Sequence, residues 1–209
     1  MDITDFFINA KNIIERLDKT LTTLYSKIPS KAKKEIFGSN LPKLKEHFFL
    51  VLQARLFQMV VDVDYHIDYL EALFIADIGD LYTRLDFLYD TKVTSKKKEK
   101  DYTRLTYLLL SDSDQAYTNL QDYSLKLNEF VKDSATKIFQ FFAVYLASNG
   151  ETEIESYIYD EIKHLYKSIL TVNKKYEKMV NTEYVDYLIK THFIAPIAEQ
   201  KSFANKYKK

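Results

Sequence analysis

The chain has 209 residues, 30 basic and 30 acidic side chains and 46% hydrophobic residues, enough for one sizeable core. It has no Cys, which excludes disulfides, thiol nucleophiles and Cys-ligated zinc or iron-sulfur clusters; its 3 Gly are too few for a many-stranded β fold or a Gly-rich phosphate loop. Balanced charge argues against a protein that coats nucleic acid or an anionic membrane, and helices become the expectation.

Phe6, Phe7, Ile13, Ile14, Leu17, Leu21 and Leu24 recur at helical spacing and predict a long amphipathic helix ending before Pro29. Lysines 27, 31, 33, 34, 43 and 45 then face one acid, Glu35; Gly38-Ser39-Asn40 and Pro42 mark a turn and a new helix start, so a short solvated helix plus loop is expected. Leu44, Phe48, Val51, Leu52, Leu56, Met59 and Val60 predict a strongly buried helix running into the acidic turn Asp62-Val63-Asp64-Tyr65-His66. Ile67, Leu70, Leu73, Phe74 and Ile78 predict the next helix, with Gly79 suited to its C-terminal cap. Thr91 to Lys100 loses apolar periodicity and holds five lysines, which predicts a connection between 1–90 and 101–209 within one domain spanning 1–209. Leu105 to Leu110 and a turn at Ser111-Asp112-Ser113-Asp114 follow. A long helix then runs through Leu120, Leu127, Val131, Ile138, Phe142 and Leu146 and is stopped by Ser148-Asn149-Gly150. Two last helices are expected over roughly 153–180 and 183–203, the second kinked or ended by Pro196.

The sum is an all-α, multi-helix bundle of seven to nine helices, two of whose parts share a plan. Its 17 Tyr and 14 Phe lie mostly on the apolar stripes and predict an aromatic core. The longest uncharged run, Ile138 to Gly150, falls short of the ~20 residues a membrane-spanning helix needs. The N-terminal Met1-Asp2-Ile3-Thr4-Asp5 is acidic where a signal peptide is basic, so a cytoplasmic location is expected.

Between Asp62 and Asp90 eight acids face one base, Arg84, apart from His66. Asp62, Asp64, Asp68 and Glu71 set oxygen donors around one turn, a pattern that suits Ca²⁺ or Mg²⁺. Asp68-x-x-Glu71 is equally a capping box, as is Thr152-x-x-Glu155 in a second acidic turn with Asn149, Glu151 and Glu153. An EF-hand is excluded, because Ile67 stands where its glycine must be and Leu73 where its bidentate Glu must be. Glu161-x-x-His164 has the spacing of di-iron bundles but no second copy, and His47, His66, His164 and His192 form no His-x-x-x-His pair. His192 follows Val185, Leu188 and Ile189 on one stripe and reads as a core histidine. No Gly-x-Ser-x-Gly, Walker loop or His-Glu-x-x-His is present.

The two related segments, Leu56 to Glu71 and Phe141 to Glu155, each run from an apolar helix through a short polar turn into an amphipathic helix. The first resembles the Asp-Gly-x-Ile-x-x-x-Glu turn of the TerB-like tellurite-resistance family: Asp64, Ile67 and Glu71 match, and Tyr65 takes the place of the glycine. The second keeps Asn149-Gly150, with Thr152 at the isoleucine position and Glu155 one residue early. The resemblance implies a small, bacterial-type helical bundle that binds a divalent cation at its acidic turns and serves stress response or defence as an accessory. The expected function is thus a non-catalytic helical interaction module with a protein partner. The alternative is a metal-dependent enzyme with carboxylate and His ligands inside the bundle.

Overall fold

The computed structural model describes residues 3–64, 120–172 and 181–208. Helix α1, Ile3–Lys27, buries the stripe Ile13, Ile14, Leu17, Leu21 and Leu24 and ends just before Pro29, whose ring disfavours helical backbone at the preceding residue. Helix α2, Ser30–Phe37, closes on Gly38 at φ 66°, and the amides of Gly38 and Ser39 return to the carbonyls of Lys34 and Lys33. Pro42 lies in the first turn of α3, Leu41–Asp64, where a missing N–H costs no hydrogen bond.

Helix α3 is buried on almost every side: Phe48, Phe49, Leu52, Leu56, Phe57 and Met59 point around its circumference and are nearly inaccessible. It lies along α4, Leu120–Asn149, in the most extensive helix contact among the described residues. Rings meet edge to face there, with Phe48 and Phe142 centroids 6.1 Å apart and Phe141 and Phe142 5.2 Å apart. The aromatic core expected from composition is present, and truncating one such ring costs about 3–5 kcal/mol. Gly150, at φ 71°, ends α4 where the sequence places the stop, and the Glu151 amide closes back on the Leu146 carbonyl at 3.1 Å.

Helix α5, Ser156–Val172, packs against α1 and against α6, Thr182–Ile189. The Asn181 side chain caps α6 by accepting from the Tyr184 amide at 2.7 Å. A wide π-helical turn, Lys190–Ile194, follows, closed by the Ala195 amide on the Lys190 carbonyl. After it come α7, Ala195–Glu199, α8, Lys201–Ala204, and a 3₁₀ turn, Asn205–Tyr207. Pro196 cannot donate to the carbonyl four residues back, so the expected kink takes the form of this widened turn immediately before it.

All regular structure among the described residues is helical, as the composition requires, and none of those helices is long and apolar enough to cross a membrane. One correction concerns the second acidic turn. Helix α5 begins at Ser156, and the Glu155 carbonyl accepts from the Ile158 amide at 2.9 Å. Glu155 therefore stands at the helix entrance, and Thr152-x-x-Glu155 does not form the capping box its letters suggest. The expected helix at 67–78, the connection 91–100 with its division of the chain, and the turn at 111–114 lie outside the described residues.

Candidate functional site

Two polar features share α4 and the C-terminal stretch, one closed and one open. The closed one is a seam between α3, α4 and the π turn. On α3, Arg55, Gln58 and Asp62 follow each other at three- and four-residue spacing and so share a face; on α4, Ser124 and Asn128 do the same. Gln58 Nε2 donates to Asp62 Oδ1 at 2.7 Å, while Gln58 Oε1 accepts from the Ser124 hydroxyl and from Asn128 Nδ2, the latter at 3.1 Å. Arg55 Nη1 donates to Asn128 Oδ1 at 3.0 Å, and its guanidinium lies 5.5 Å from the Phe139 ring centre. Burial holds the Arg55 pKa below its ordinary value, with Glu199 pulling the other way. Arg55 Nε is buried with no hydrogen-bond partner among the described residues.

The seam ends at Asp62 Oδ2, 2.8 Å from Nε2 of His192, which the π turn buries to 8% exposure. Burial holds the His192 pKa below its ordinary value, against the pull of Asp62, and Arg55 adds to the lowering. The neutral ring donates from Nε2 to the carboxylate, and the Tyr184 hydroxyl donates to the Asp62 carbonyl at 3.3 Å. His192 is thus the satisfied core histidine its stripe predicts. A carboxylate holding an imidazole is two-thirds of a nucleophile-activating triad. Among the described residues no hydroxyl hydrogen-bonds its other ring nitrogen.

Of the four residues read as cation ligands, Asp62 lies inside α3 with each carboxylate oxygen engaged by Gln58 or His192. Asp64 is the last described residue of that helix, and Asp68 and Glu71 lie outside the described residues. In the second turn the Tyr145 hydroxyl is 2.6 Å from Glu155 Oε1 and 3.1 Å from Glu151 Oε1, and Lys27 Nζ donates to Glu155 Oε1 at 3.1 Å. Tyr145 and Lys27 hold the Glu155 carboxyl below the usual range, while burial and the two carboxylates push the phenol up. Asn149 Nδ2 donates to the Tyr145 carbonyl at 2.9 Å. Glu161, on α5, is gripped by Arg16 from α1 at 2.6 and 2.9 Å; His164 is exposed. No group of three or more His, Asp or Glu among the described residues is placed to hold a metal ion.

The open feature is a groove of about 760 Å³, bounded by the last two turns of α4, the 150–156 loop and the face of the C-terminal stretch that carries Lys190, Ile194, Ile197, Lys201, Ala204 and Lys208. Ala143, Ala147 and Gly150 recur at helical spacing along the end of α4, and their small size leaves room for the trough. Half-buried Leu146, Ile154 and Ile194 supply apolar surface to it. Glu151 and Glu153 stand on the loop side. Lys190, Lys201 and Lys208 stand opposite, exposed and without an ion pair among the described residues. The second acidic turn, singled out in the sequence for cation binding, is a wall of this groove. The groove itself escaped sequence reasoning because its walls are about 50 residues apart in the chain; the small-residue spacing on α4 was the one local sign of it.

Compared with known proteins, the chain matches no family model, no curated protein and no solved structure.

Proposed function

We propose that the chain is a non-catalytic helical interaction module that docks a protein partner in the groove between α4 and the C-terminal stretch. One observation carries the reading: a trough of about 760 Å³ with apolar walls and three exposed lysines that make no ion pair among the described residues. Its size falls within the range of binding sites, and its open side suits a macromolecular ligand. The seam points the other way, since its side chains mostly bond one another. The stress- or defence-associated part of the reading is supported by the TerB-like letters at Asp64, Ile67 and Glu71, which also support a cation at that turn.

The test is co-purification from the native host with wild type and with Ala198→Trp, a substitution at an exposed groove residue. A partner recovered with wild type at stoichiometric level and lost with the variant supports the module; equal recovery by both contradicts docking here. The second reading, a metal-dependent enzyme, draws on the Asp62 and His192 pair. Stoichiometric iron or zinc in protein purified without chelator would favour it over the module.

A further inference from the structure

We infer that the groove accepts an amphipathic helix whose flank carries carboxylates, an inference that rests on the module reading and names its partner's chemistry. The argument begins with shape. Ala143, Ala147 and Gly150 lie at i, i+4 and i+7 along α4, and Ala198 and Ala204 face them across the trough. Walls of small residues let another backbone come close, whereas a ligand with a compact apolar body is normally wrapped by large side chains on several sides. The trough follows the C-terminal stretch from Lys190 to Lys208, at most about 27 Å at a helical rise of 1.5 Å per residue. That length suits three to four turns of a helix laid into a groove, which is read through apolar anchors at i, i+3, i+4 and i+7.

Charge then chooses the kind of helix. Some surface lysines are paired, Lys27 with Glu155, Lys45 with Asp18, Lys163 with Asp186 and Lys206 with Glu35, while others, Lys19, Lys34 and Lys43 among them, make no ion pair among the described residues and lie scattered over the surface away from the trough lining. Lys190, Lys201 and Lys208, spaced along one wall of the trough, have no such partner among the described residues. On the opposite wall Glu151 faces the Tyr145 hydroxyl, and Glu153 makes no ion pair among the described residues. A helix with carboxylates along the flank toward the lysines, and neutral or basic residues toward Glu153, satisfies both walls in one orientation. Reversing its charges sets like against like on both, which penalises the wrong ligand and fixes direction.

The experiment uses the full chain and two fluorescein-labelled, helix-forming 16-residue peptides with the same Leu and Ala stripe, one with Glu along a flank and one with Lys in its place. Fluorescence anisotropy should show the Glu-flanked peptide binding, with affinity falling as salt rises. Lys201→Glu combined with Lys208→Glu should weaken it at least tenfold and strengthen the Lys-flanked peptide, and Ala198→Trp should block the Glu-flanked one. Circular dichroism melts of the variants separate lost binding from lost fold. Equal or tighter binding of the Lys-flanked peptide by wild type overturns the inference while leaving docking intact. Failure of both peptides overturns it as well, and the co-purification result then judges the module reading independently. Phosphatidylglycerol vesicles serve as the third probe. Vesicle binding that needs the same lysines, without binding of the Glu-flanked peptide, would assign the groove to a lipid surface and overturn the inference.

Discussion

The seam and the groove share α4 and the C-terminal stretch and treat polar groups in opposite ways. At one end of α4, Ser124 and Asn128 reach into a chain of hydrogen bonds that closes on Asp62 and His192. At the other end, small side chains leave a trough whose lysines have no internal partner among the described residues. Buried polar groups are costly unless paired, so the seam is held together by mutual need; exposed charges cost little alone, so the groove's lysines can stand without a partner among the described residues. The difference separates what holds the fold from the surface on which the proposed docking rests.

Breaking the seam should give the largest effect. Asp62→Ala strands both Gln58 Nε2 and His192 Nε2, and chemical denaturation should show a loss of about 2–3 kcal/mol. Asp62→Asn, which keeps one acceptor oxygen, should lose less. If alanine and asparagine cost the same few tenths, the seam does not stabilise the fold.

A cation at Asp62, Asp64, Asp68 and Glu71, the set expected from the sequence, is tested through stability as well. Binding to the native state alone adds about 1.4 kcal/mol at a tenfold excess over Kd. The melting temperature should therefore rise with millimolar Ca²⁺ or Mg²⁺, and Asp64→Asn should remove the rise. Equal melting of both proteins with and without the ions would contradict a cation there.

Acid should destabilise the fold in two stages, the first at the seam and the second at the 150–156 loop. His192 is depressed in the fold below its ordinary 6.5, so from pH 6.5 downward the unfolded chain takes up a proton that the native chain resists. Stability from this group is complete above pH 6.5 and falls as pH drops toward the folded pKa. Glu155 is also depressed, so its contribution is complete above the ordinary 4.5 and falls at lower pH. Denaturation midpoints measured from pH 8 to pH 4 should show the first loss in wild type, and it should be absent in His192→Gln. A flat profile down to pH 5 in wild type would contradict the assignment.

The smallest stability effects belong to the groove. Ala198→Trp and the Lys201→Glu, Lys208→Glu pair should each change stability by less than about 0.5 kcal/mol, because all three positions are exposed. A loss above 2 kcal/mol in either would mean that the groove side chains hold the fold.

Local periodicity carried much of this architecture. The stripe from Ile13 to Leu24, the largely buried α3, the Gly150 stop and the disturbance at Pro196 are each set by a few neighbouring residues, and each is where the sequence places it. Polar partnerships were not legible in the same way. His192 could be read as buried from its stripe, but Asp62 is 130 positions away and nothing local marks the pair. Likewise Arg16 and Glu161, 145 positions apart, meet only because helices dock. Glu155 shows the hazard of local letters, since the capping-box pattern was present while the helix entered three residues later than that pattern requires.

The separation of seam from groove is tested most directly by hydrogen–deuterium exchange of the full chain, with and without saturating Glu-flanked peptide. The account predicts slowed exchange in 143–156 and 190–208 and unchanged exchange in 55–62 and 120–128. Protection centred on 55–62, or no protection at saturation, would contradict it.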